Sequence, residues 1–484
     1  MEPGAVGAAG ITQAAQRVDD ITAVSSLLLL LALAAAAFGQ GAYFSSVRLF
    51  IVVILAVAAL LAFAVKPRHV ADLRSGFVVA GALLAVWALS RAWVAGTPAS
   101  GVSWALFGAG TVAVVVVSRR LTASSRAMLL GGLLIVGVGV ALTGWLGVAL
   151  HMRPWGLPSQ GLWRAASTLT YANATAGLLV PLALVGLARL TAMPRAIPLS
   201  LAVTCLLTGV GATLSRAGIA ALGAGLLVLC WLLGPRRVLR AVAVPAVGAA
   251  IALFGLLPSL RHGHAARPVY AFVAMAAGLG LVILAQRSSG WKPKLALPAV
   301  GGALVAALLV IFLVPQVHGA VRRILQTRLN LASSARTGEA TAALRVIASH
   351  PLAGVGPGHA LTWISPGGAI NVDQYVHDEY LQVLTDLGIA GAALVAVLLI
   401  AAGLLLWRAR TSASDRALWA GVVAAAIAFA LHSGFDFLWQ VPAIPLTVAA
   451  LVGLATCQPH VRRHEPPIPA SDEIRSGNAA SYQS

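Results

Sequence analysis

A cluster of titratable side chains stands at the start of one apolar stretch of the sequence. In YVHDEYLQVLTDLG, which runs from residue 375 to residue 388, His377 is followed by Asp378, Glu379 and Tyr380. A histidine titrates near neutral pH and accepts a proton from a hydroxyl group, so His377 is a candidate general base. The structural alternative is a polar cap at the end of a membrane helix, where polar residues are common. The sequence leaves both interpretations open.

If the segment is helical, the spacing of the polar residues places them on different faces of the helix. His377 would then share a face with Tyr380, Leu381 and Leu384, whereas Glu379 is rotated by about 200° and would face a neighbouring element. A zinc site of the HExxH type is excluded, because Leu381 stands where the second histidine would be.

Two arginines are candidates for binding an anion. Arg216 lies in LSRAG, the only interruption of a long apolar segment, and an arginine there is costly unless it lines a wet cavity or binds an anion. Its alternative role is snorkelling to lipid headgroups. Arg336 could present a guanidinium fork to a phosphate. Its alternative is an ion pair with Glu339 at i, i+3 spacing, worth a few tenths of a kcal/mol.

Two further motifs carry polar groups. HSGFD places His432 and Asp436 near the end of a later apolar segment, which suggests either a second proton relay or, more simply, a polar contact at the end of a span. GVGPG, starting at Gly354, lacks the Lys-Ser/Thr of a phosphate-binding P-loop and the strand that precedes one, so it is interpreted as a turn.

The composition predicts an all-α, polytopic membrane protein. Hydrophobic residues make up 59% of the 484 residues and charged residues 10%, whereas soluble domains carry about a quarter charged residues. Apolar stretches long enough to cross a bilayer recur along the chain, and about 14 spans are predicted. The three cysteines indicate no disulfide or metal framework. The predicted spans are Ile21–Phe38, Leu49–Val65, Phe77–Trp93, Val102–Val117, Ala127–Leu150, Ala174–Ala188, Ile197–Leu214, Ala217–Leu233, Val238–Leu257, Pro268–Ala285, Leu295–Val314, Leu387–Trp407, Ala417–Phe435 and Val441–Leu454.

The net charge of +19 comes from basic residues between the spans, where they set topology, so nucleic acid is not an expected partner. Alternate connections are rich in arginine and lysine, which places the N- and C-termini in the cytoplasm. The predicted parts are a cytoplasmic segment at 1–20, a transmembrane bundle of about 11 spans at 21–315, a long outer loop at 316–378, the last three spans at 379–457 and a disordered cytoplasmic tail at 458–484.

The long outer loop is the connection most suggestive of function, because loops of this length are usually functional. Residues 335–350 within it have apolar positions at helical spacing, and Pro351 ends the predicted helix. The charge rule places Arg216, Arg336 and His377, from three different connections, on the outer face. Two cations and a base could surround a substrate that carries a phosphate anion and a hydroxyl group.

At these residues the chain resembles the O-antigen ligase and O-antigen polymerase superfamily, over roughly residues 150–454. The resemblance implies transfer of glycan from an undecaprenyl-pyrophosphate-type carrier on the outer face of the bacterial inner membrane. Two positions depart from the family pattern: Asp378 stands where asparagine is frequent, and the helix of Arg336 lacks its usual tryptophan. The segments that carry the resemblance are TYANATAG (Thr170–Gly177), LSRAG (Leu214–Gly218), SARTGEATAALRVIASHPLAGVGPGHA (Ser334–Ala360), VHDEYLQVLTDLGIAG (Val376–Gly391) and HSGFDFLWQVPA (His432–Ala443).

The resemblance also implies roles for matching positions. Arg216 and Arg336 would bind the pyrophosphate, and His377 would assist the acceptor hydroxyl. No metal or cofactor is expected, since the two arginines supply the positive charge. The expected partners are a lipid-linked oligosaccharide donor, a glycan, lipid or protein acceptor, and membrane lipids. The residues expected to support the site are Asn173, Glu379, Tyr380, His432 and Asp436.

Two alternatives to an O-antigen ligase remain open from the sequence. A polysaccharide polymerase of the same superfamily differs only in its acceptor, which is another lipid-linked glycan. A secondary transporter or lipid flippase would place ionisable residues near the membrane midplane, whereas here the charges gather in one outer loop. Deletion of that loop discriminates these classes, because a transporter has less need of it.

Overall fold

The computed structural model describes residues 3–64, 76–288, 315–328, 334–365, 367–413 and 415–457. The predicted span Leu295–Val314 and the predicted tail at 458–484 lie outside these residues. In the first half of the chain the helices are α1 Pro3–Phe38, α2 Ser45–Ala64, α3 Gly76–Val94, α4 Pro98–Ala105, α5 Thr111–Arg120, α6 Ala123–Ala149, α7 Ala172–Ala192, α8 Ile197–Ala212, α9 Arg216–Leu233, α10 Pro235–Phe254 and α11 Pro268–Arg287. The remaining helices are α12 Pro315–Arg328, α13 Ser334–Ser349, α14 Glu379–Ala409, α15 Arg416–Ser433 and α16 Ala443–Ala455.

The prediction of an all-α, polytopic helical bundle is confirmed. Within the described residues, eleven helices are long and apolar enough to cross a membrane, and α4 and α5 form one of them through a π-helical segment at Leu106–Gly110. Two shorter apolar helices, α8 and α16, coincide with two further predicted spans. The predicted spans that fall on described residues therefore all coincide with helices.

Helix α7 lies at the centre of the bundle and packs against α6, α8, α9 and α15. Its sequence is apolar around its whole circumference, and nearly every residue is buried. A helix of this kind is stable only when protein surrounds it. Because α7 is fixed on all sides, its first residues form a rigid base for the polar groups that collect beside them.

The expected interruption of the long apolar segment lies at residues 213–215, between α8 and α9. Leu214 has a positive φ of 50°, and the Ser215 side chain caps α9 by accepting the Gly218 N–H at 3.2 Å. Arg216 is therefore the first residue of α9. The dipole of a helix favours negative charge near its N-terminus, so this end of α9 favours an anion.

Two short antiparallel hairpins accompany the helices. Strands β1 Gly156–Ser159 and β2 Leu162–Ala165 form one of them, between α6 and α7. Strands β3 Leu361–Ile364 and β4 Ile370–Asp373 form the other, between α13 and α14. Neither hairpin is among the sequence predictions.

Helix α14 contains a break at Gly388, where φ is 66° and ψ is −168°. The loop after α13 pairs with the backbone groups that the break releases. Val355 donates its N–H to the Thr385 carbonyl at 2.9 Å, and Ile389 donates to the Pro351 carbonyl at 2.9 Å. Freed backbone groups at a membrane helix must be satisfied by neighbouring protein. The loop therefore fixes α13 relative to α14.

Candidate functional site

His377 lies just before α14 and is not part of it. The helix begins at Glu379, and the Asp378 carboxylate caps it by accepting the backbone N–H groups of Tyr380 at 2.9 Å and Leu381 at 3.2 Å. The helical register considered for His377 from the sequence is therefore wrong. The histidine instead points out of a capped turn, and 27% of its side chain is exposed.

The partner of His377 is Glu339 of α13. His377 Nδ1 lies 2.7 Å from Glu339 Oε2, and the His377 backbone N–H donates to the same oxygen at 3.3 Å. The Glu339 side chain is 4% exposed. A carboxylate that accepts from Nδ1–H fixes the tautomer of the ring and leaves Nε2 as the proton acceptor. The two residues form the charge arrangement of an oriented general base.

The surroundings of His377 raise its pKa above the ordinary value. Burial acts in the opposite direction, since it disfavours the charged ring. The hydrogen bond to Glu339, together with the negative charges of Asp436 and Glu339, outweighs burial, although the charge of Arg336 opposes these contributions. His377 is consequently a stronger base than a histidine in water.

Arg336, near the start of α13, reaches towards a buried carboxylate. Its Nη2 atom lies 3.9 Å from Asp436 Oδ2; the arginine side chain is 36% exposed, and that of Asp436 is fully buried. The sequence offered Glu339 as a local partner of Arg336, but the structure shows Glu339 bound to His377. One turn of α13 therefore carries both a cation and the carboxylate that orients the base.

Asp436 is the anionic centre of this end of the bundle. Tyr171 donates its hydroxyl to the two carboxylate oxygens at 2.8 and 2.9 Å, and Asn173 donates its amide to Oδ2. Burial, followed by the charge of Asp436, raises the pKa of Tyr171 well above its ordinary value. Tyr171 is therefore a permanent hydrogen-bond donor that holds Asp436 in place.

Arg164 of strand β2 is a site residue that the sequence analysis did not select. Its Nη2 atom donates to Asn173 Oδ1 at 2.7 Å, and its Nε atom donates to the Thr213 carbonyl at 2.8 Å, beside the break before α9. Burial lowers its pKa, and the positive charges of Arg216 and Arg336 lower it further. The three arginines therefore act on one region of space.

An aromatic stack positions the loop that carries His377. The ring of Phe437 stacks on Tyr171 and on Tyr375, each with centroids 5.1 Å apart. His377 packs edge-on against Phe437 at 5.3 Å. Since Tyr171 directly precedes the central helix α7, the stack ties the loop that carries His377 to the centre of the bundle. Apart from the aromatic residues themselves, no pattern in the sequence indicated this stack.

The other predicted supporting residues lie around the same turn but have different contacts. Glu379 is buried and accepts the backbone N–H groups of Trp439 and Gln440, so it faces a neighbouring element. The Tyr380 hydroxyl donates to the Ala430 carbonyl at 2.8 Å. His432 is buried, and among the described residues neither of its ring nitrogens has a hydrogen-bond partner. Glu379 and Tyr380 therefore anchor α14, and their contacts give no direct link to His377.

A metal centre is not evident in the part of the chain that the structure describes. No group of three histidine, cysteine or acidic side chains there is arranged to hold a metal ion. The charged groups that meet at the site are instead arginines, two carboxylates and a histidine. This set can bind a strongly anionic phosphate group and accept a proton beside it.

Comparison with protein-family models gives a match over part of the chain. A family model described as O-antigen ligase matches residues 265–396, a range that contains Arg336, Glu339 and His377 but not Arg164, Arg216 or Asp436. No curated protein matches the chain. The matched segment contains the motifs of the long loop, and it supports the resemblance to the O-antigen ligase and O-antigen polymerase superfamily over this part of the chain.

Proposed function

We propose that this protein transfers glycan from a lipid-linked pyrophosphate donor to an acceptor hydroxyl group. The observation that carries the proposal is the meeting of Arg164, Arg216 and Arg336 beside the His377–Glu339 pair. The family supports a ligase-type glycan transfer. The pyrophosphate carrier, the acceptor hydroxyl group and the roles of the individual residues are part of this proposal.

The arginines bind the pyrophosphate. Three guanidinium groups act on one region that contains two buried carboxylates, Asp436 and Glu339, and Glu339 is engaged by His377, so the region is electropositive without a ligand. The N-terminus of α9 adds its backbone N–H groups on the side of Arg216. When the bond from the sugar to the pyrophosphate breaks, negative charge grows on the leaving oxygen, and these preorganised cations stabilise it.

His377 accepts the proton of the attacking hydroxyl group. The acceptor oxygen forms a bond to the anomeric carbon, the bond from that carbon to the pyrophosphate oxygen breaks, and the lipid pyrophosphate leaves with the electron pair. The proton passes to Nε2 of His377, since Nδ1 is held by Glu339. If the displacement occurs in one step, the sugar inverts.

We place the site on the outer face of a bacterial cytoplasmic membrane, with both termini in the cytoplasm. Helices α7 and α9 begin at the site and end next to arginines at the opposite end of the bundle. The positive-inside rule assigns such clusters to the cytoplasmic side. The opposite-end cations include Arg119, Arg120, Arg126, Arg189, Arg195, Arg236, Arg237, Arg240, Arg408, Arg410 and Arg416.

The test is glycan transfer in membranes that contain the His377→Ala or Arg336→Ala variant. Loss of a general base reduces the rate by about 10²–10⁴-fold, and loss of one charge-stabilising donor by about 10²–10³-fold. Matched controls lie in the same loop: His359 and Arg345 are exposed, so His359→Ala and Arg345→Ala should transfer normally. Full transfer by both site variants at normal expression would end the assignment.

The acceptor is identified by analysing a deletion strain. Long glycan chains that accumulate on the lipid carrier indicate a lost ligase, since finished chains then have no route to their acceptor. Single repeat units that accumulate indicate a lost polymerase. Both outcomes keep the site chemistry, because each uses a lipid pyrophosphate as the leaving group.

A further inference from the structure

Three segments pack together beside the site to form a compact unit, which we call the basic module. They are residues 151–165 with the β1–β2 hairpin, residues 257–270 before α11, and α12 at Pro315–Arg328. Trp163 donates its backbone N–H to the Leu260 carbonyl at 2.7 Å. Arg323 donates its Nε–H to the Gln160 carbonyl at 3.2 Å. The buried side chain of Ala320 attaches α12 to the apolar cluster beneath the hairpin.

The basic module has positive charge without compensation. Its three segments contain no aspartate or glutamate. Within the residues that the structure describes, no ion pair joins one of its arginines to an acid. Arg164 faces the site through Asn173 and is not part of the exposed set. The exposed or half-exposed arginines are Arg153, Arg261, Arg267, Arg322 and Arg323.

The module lies at the edge of the bundle, next to an exposed apolar surface. Arg267 directly precedes α11, a peripheral helix that packs mainly on α8 and α10. The side chains of Val269 and Val273, just after Arg267, are 69% and 64% exposed. On α12, Leu325 is 52% exposed and follows Arg322 by three residues. Exposed apolar side chains next to arginines are typical of the headgroup level of a membrane.

We propose that the basic module binds the headgroups of anionic phospholipids in the leaflet on the side of the site. Charge complementarity requires an anionic partner, and the continuity of the arginines with the apolar surface of α11 favours a lipid over a soluble polyanion. The exposed arginines of the module are separate from the proposed pyrophosphate site, to which only Arg164 of the hairpin belongs, so lipid binding does not depend on the proposed function. Its effect is to hold the hairpin, and through it Arg164, at a fixed depth.

Photo-crosslinking tests the proposal locally. The full chain, with a photo-reactive amino acid in place of Leu325, is reconstituted in vesicles of phosphatidylcholine and phosphatidylglycerol, and the captured lipids are identified by mass spectrometry. We expect preferential capture of phosphatidylglycerol. An arginine near an anionic surface contributes about a five-fold preference. Arg267→Gln and Arg322→Gln should each reduce the preference by about that factor, and both together multiplicatively.

Two controls make the result specific. Arg345→Gln removes the same charge from an exposed position on α13 and should leave the capture ratio unchanged. The same photo-reactive group in place of Ile135, which is 73% exposed on α6, should show no headgroup preference. Equal capture of both lipids at position 325, or a preference that survives both arginine substitutions, would overturn the proposal. Capture of an added acidic polysaccharide instead of lipid would also overturn the proposal and would indicate that the module binds a soluble polyanion.

Discussion

At the scale of the residue, the charge arrangement around His377 accounts for base chemistry better than the histidine alone. The carboxylate of Glu339 binds Nδ1 at 2.7 Å, so Nε2 is available to a hydroxyl group. The same contact raises the pKa of His377 against the effect of burial. A base whose pKa lies near the working pH combines a sufficient neutral fraction with a useful driving force for proton transfer.

The pH profile of Glu339→Gln tests this pairing. A base works in its neutral form, so transfer should rise as the pH increases through the pKa of His377. Glutamine keeps an acceptor oxygen but removes the negative charge, so the pKa falls and the acidic limb of kcat/KM moves to lower pH. The plateau should also fall, by about 10²–10⁴-fold. A lower plateau with an unmoved acidic limb would show that Glu339 has only a structural role.

Substitution of Arg164 tests whether the third arginine belongs to the site. Arg164→Gln should reduce kcat/KM for the lipid-linked donor by about 10²–10³-fold, since one preorganised cation is lost. Arg164→Lys keeps the charge but loses the fork that holds Asn173 and the Thr213 carbonyl, so its rate should be intermediate. Equal rates for Arg164→Gln and the unmodified protein would remove Arg164 from the proposed site.

The sequence pointed to His377, Arg216 and Arg336, because short motifs and the alternation of basic connections can be recognised without the tertiary structure. Their roles stay predictions. One of the two roles left open for Arg336 was an ion pair with Glu339 at i, i+3 spacing, and the contact that the docked loop brings to this carboxylate is His377. No motif in the sequence distinguished Arg164. Its role depends on tertiary contacts with Asn173 and with the Thr213 carbonyl at the break before α9.

At the scale of the element, the spans follow from apolar length, and that part of the fold was predictable. The β hairpins were not, since four-residue strands show no periodicity that separates them from loops. The break in α14 was also hidden, because Gly388 lies in the apolar stretch LGIAGAAL, where a glycine does not by itself mark a break. Its cause is tertiary: the loop at 351–356 supplies the backbone partners that let the helix open there.

Gly388→Ala tests the importance of this break. A Cβ atom at position 388 would lie 2.4 Å from the backbone of Leu352, and the positive φ disfavours any other residue. The backbone conformation alone costs about 1–3 kcal/mol, so the thermal midpoint of the purified protein should fall. Gly403→Ala in the same helix is the control, because nothing lies within 4 Å of its Cβ. Equal midpoints for the two variants would contradict the structural role of the break.

At the scale of the whole molecule, the arginines divide between the two ends of the bundle in different ways. Those at the end opposite to the site cluster in the connections between helices, as topology requires. At the site end, Arg336 lies beside Asp436, and the basic module holds a separate group of exposed arginines. The positive charge at one end of the bundle therefore has a different physical reason from the positive charge at the other end. The composition of the chain alone could not distinguish the two groups of arginines.

Cysteine labelling tests the proposed orientation. The protein, with Cys205, Cys230 and Cys457 replaced by alanine, receives one new cysteine at an exposed position. With a membrane-impermeant thiol reagent on intact cells, His359→Cys should react, and Arg237→Cys should react only after permeabilisation. The reverse pattern would place the site in the cytoplasm and would remove the proposed outer-face reaction.

The central claim is that the site breaks the bond between a glycan and a lipid pyrophosphate. The most direct measurement uses the purified full chain in vesicles with a lipid-linked glycan and an acceptor, and follows the free lipid pyrophosphate together with the glycosylated acceptor. We expect equal amounts of the two products, and none above background with His377→Ala. Movement of intact lipid-linked glycan across the vesicle membrane without bond cleavage would contradict the account and identify a flippase.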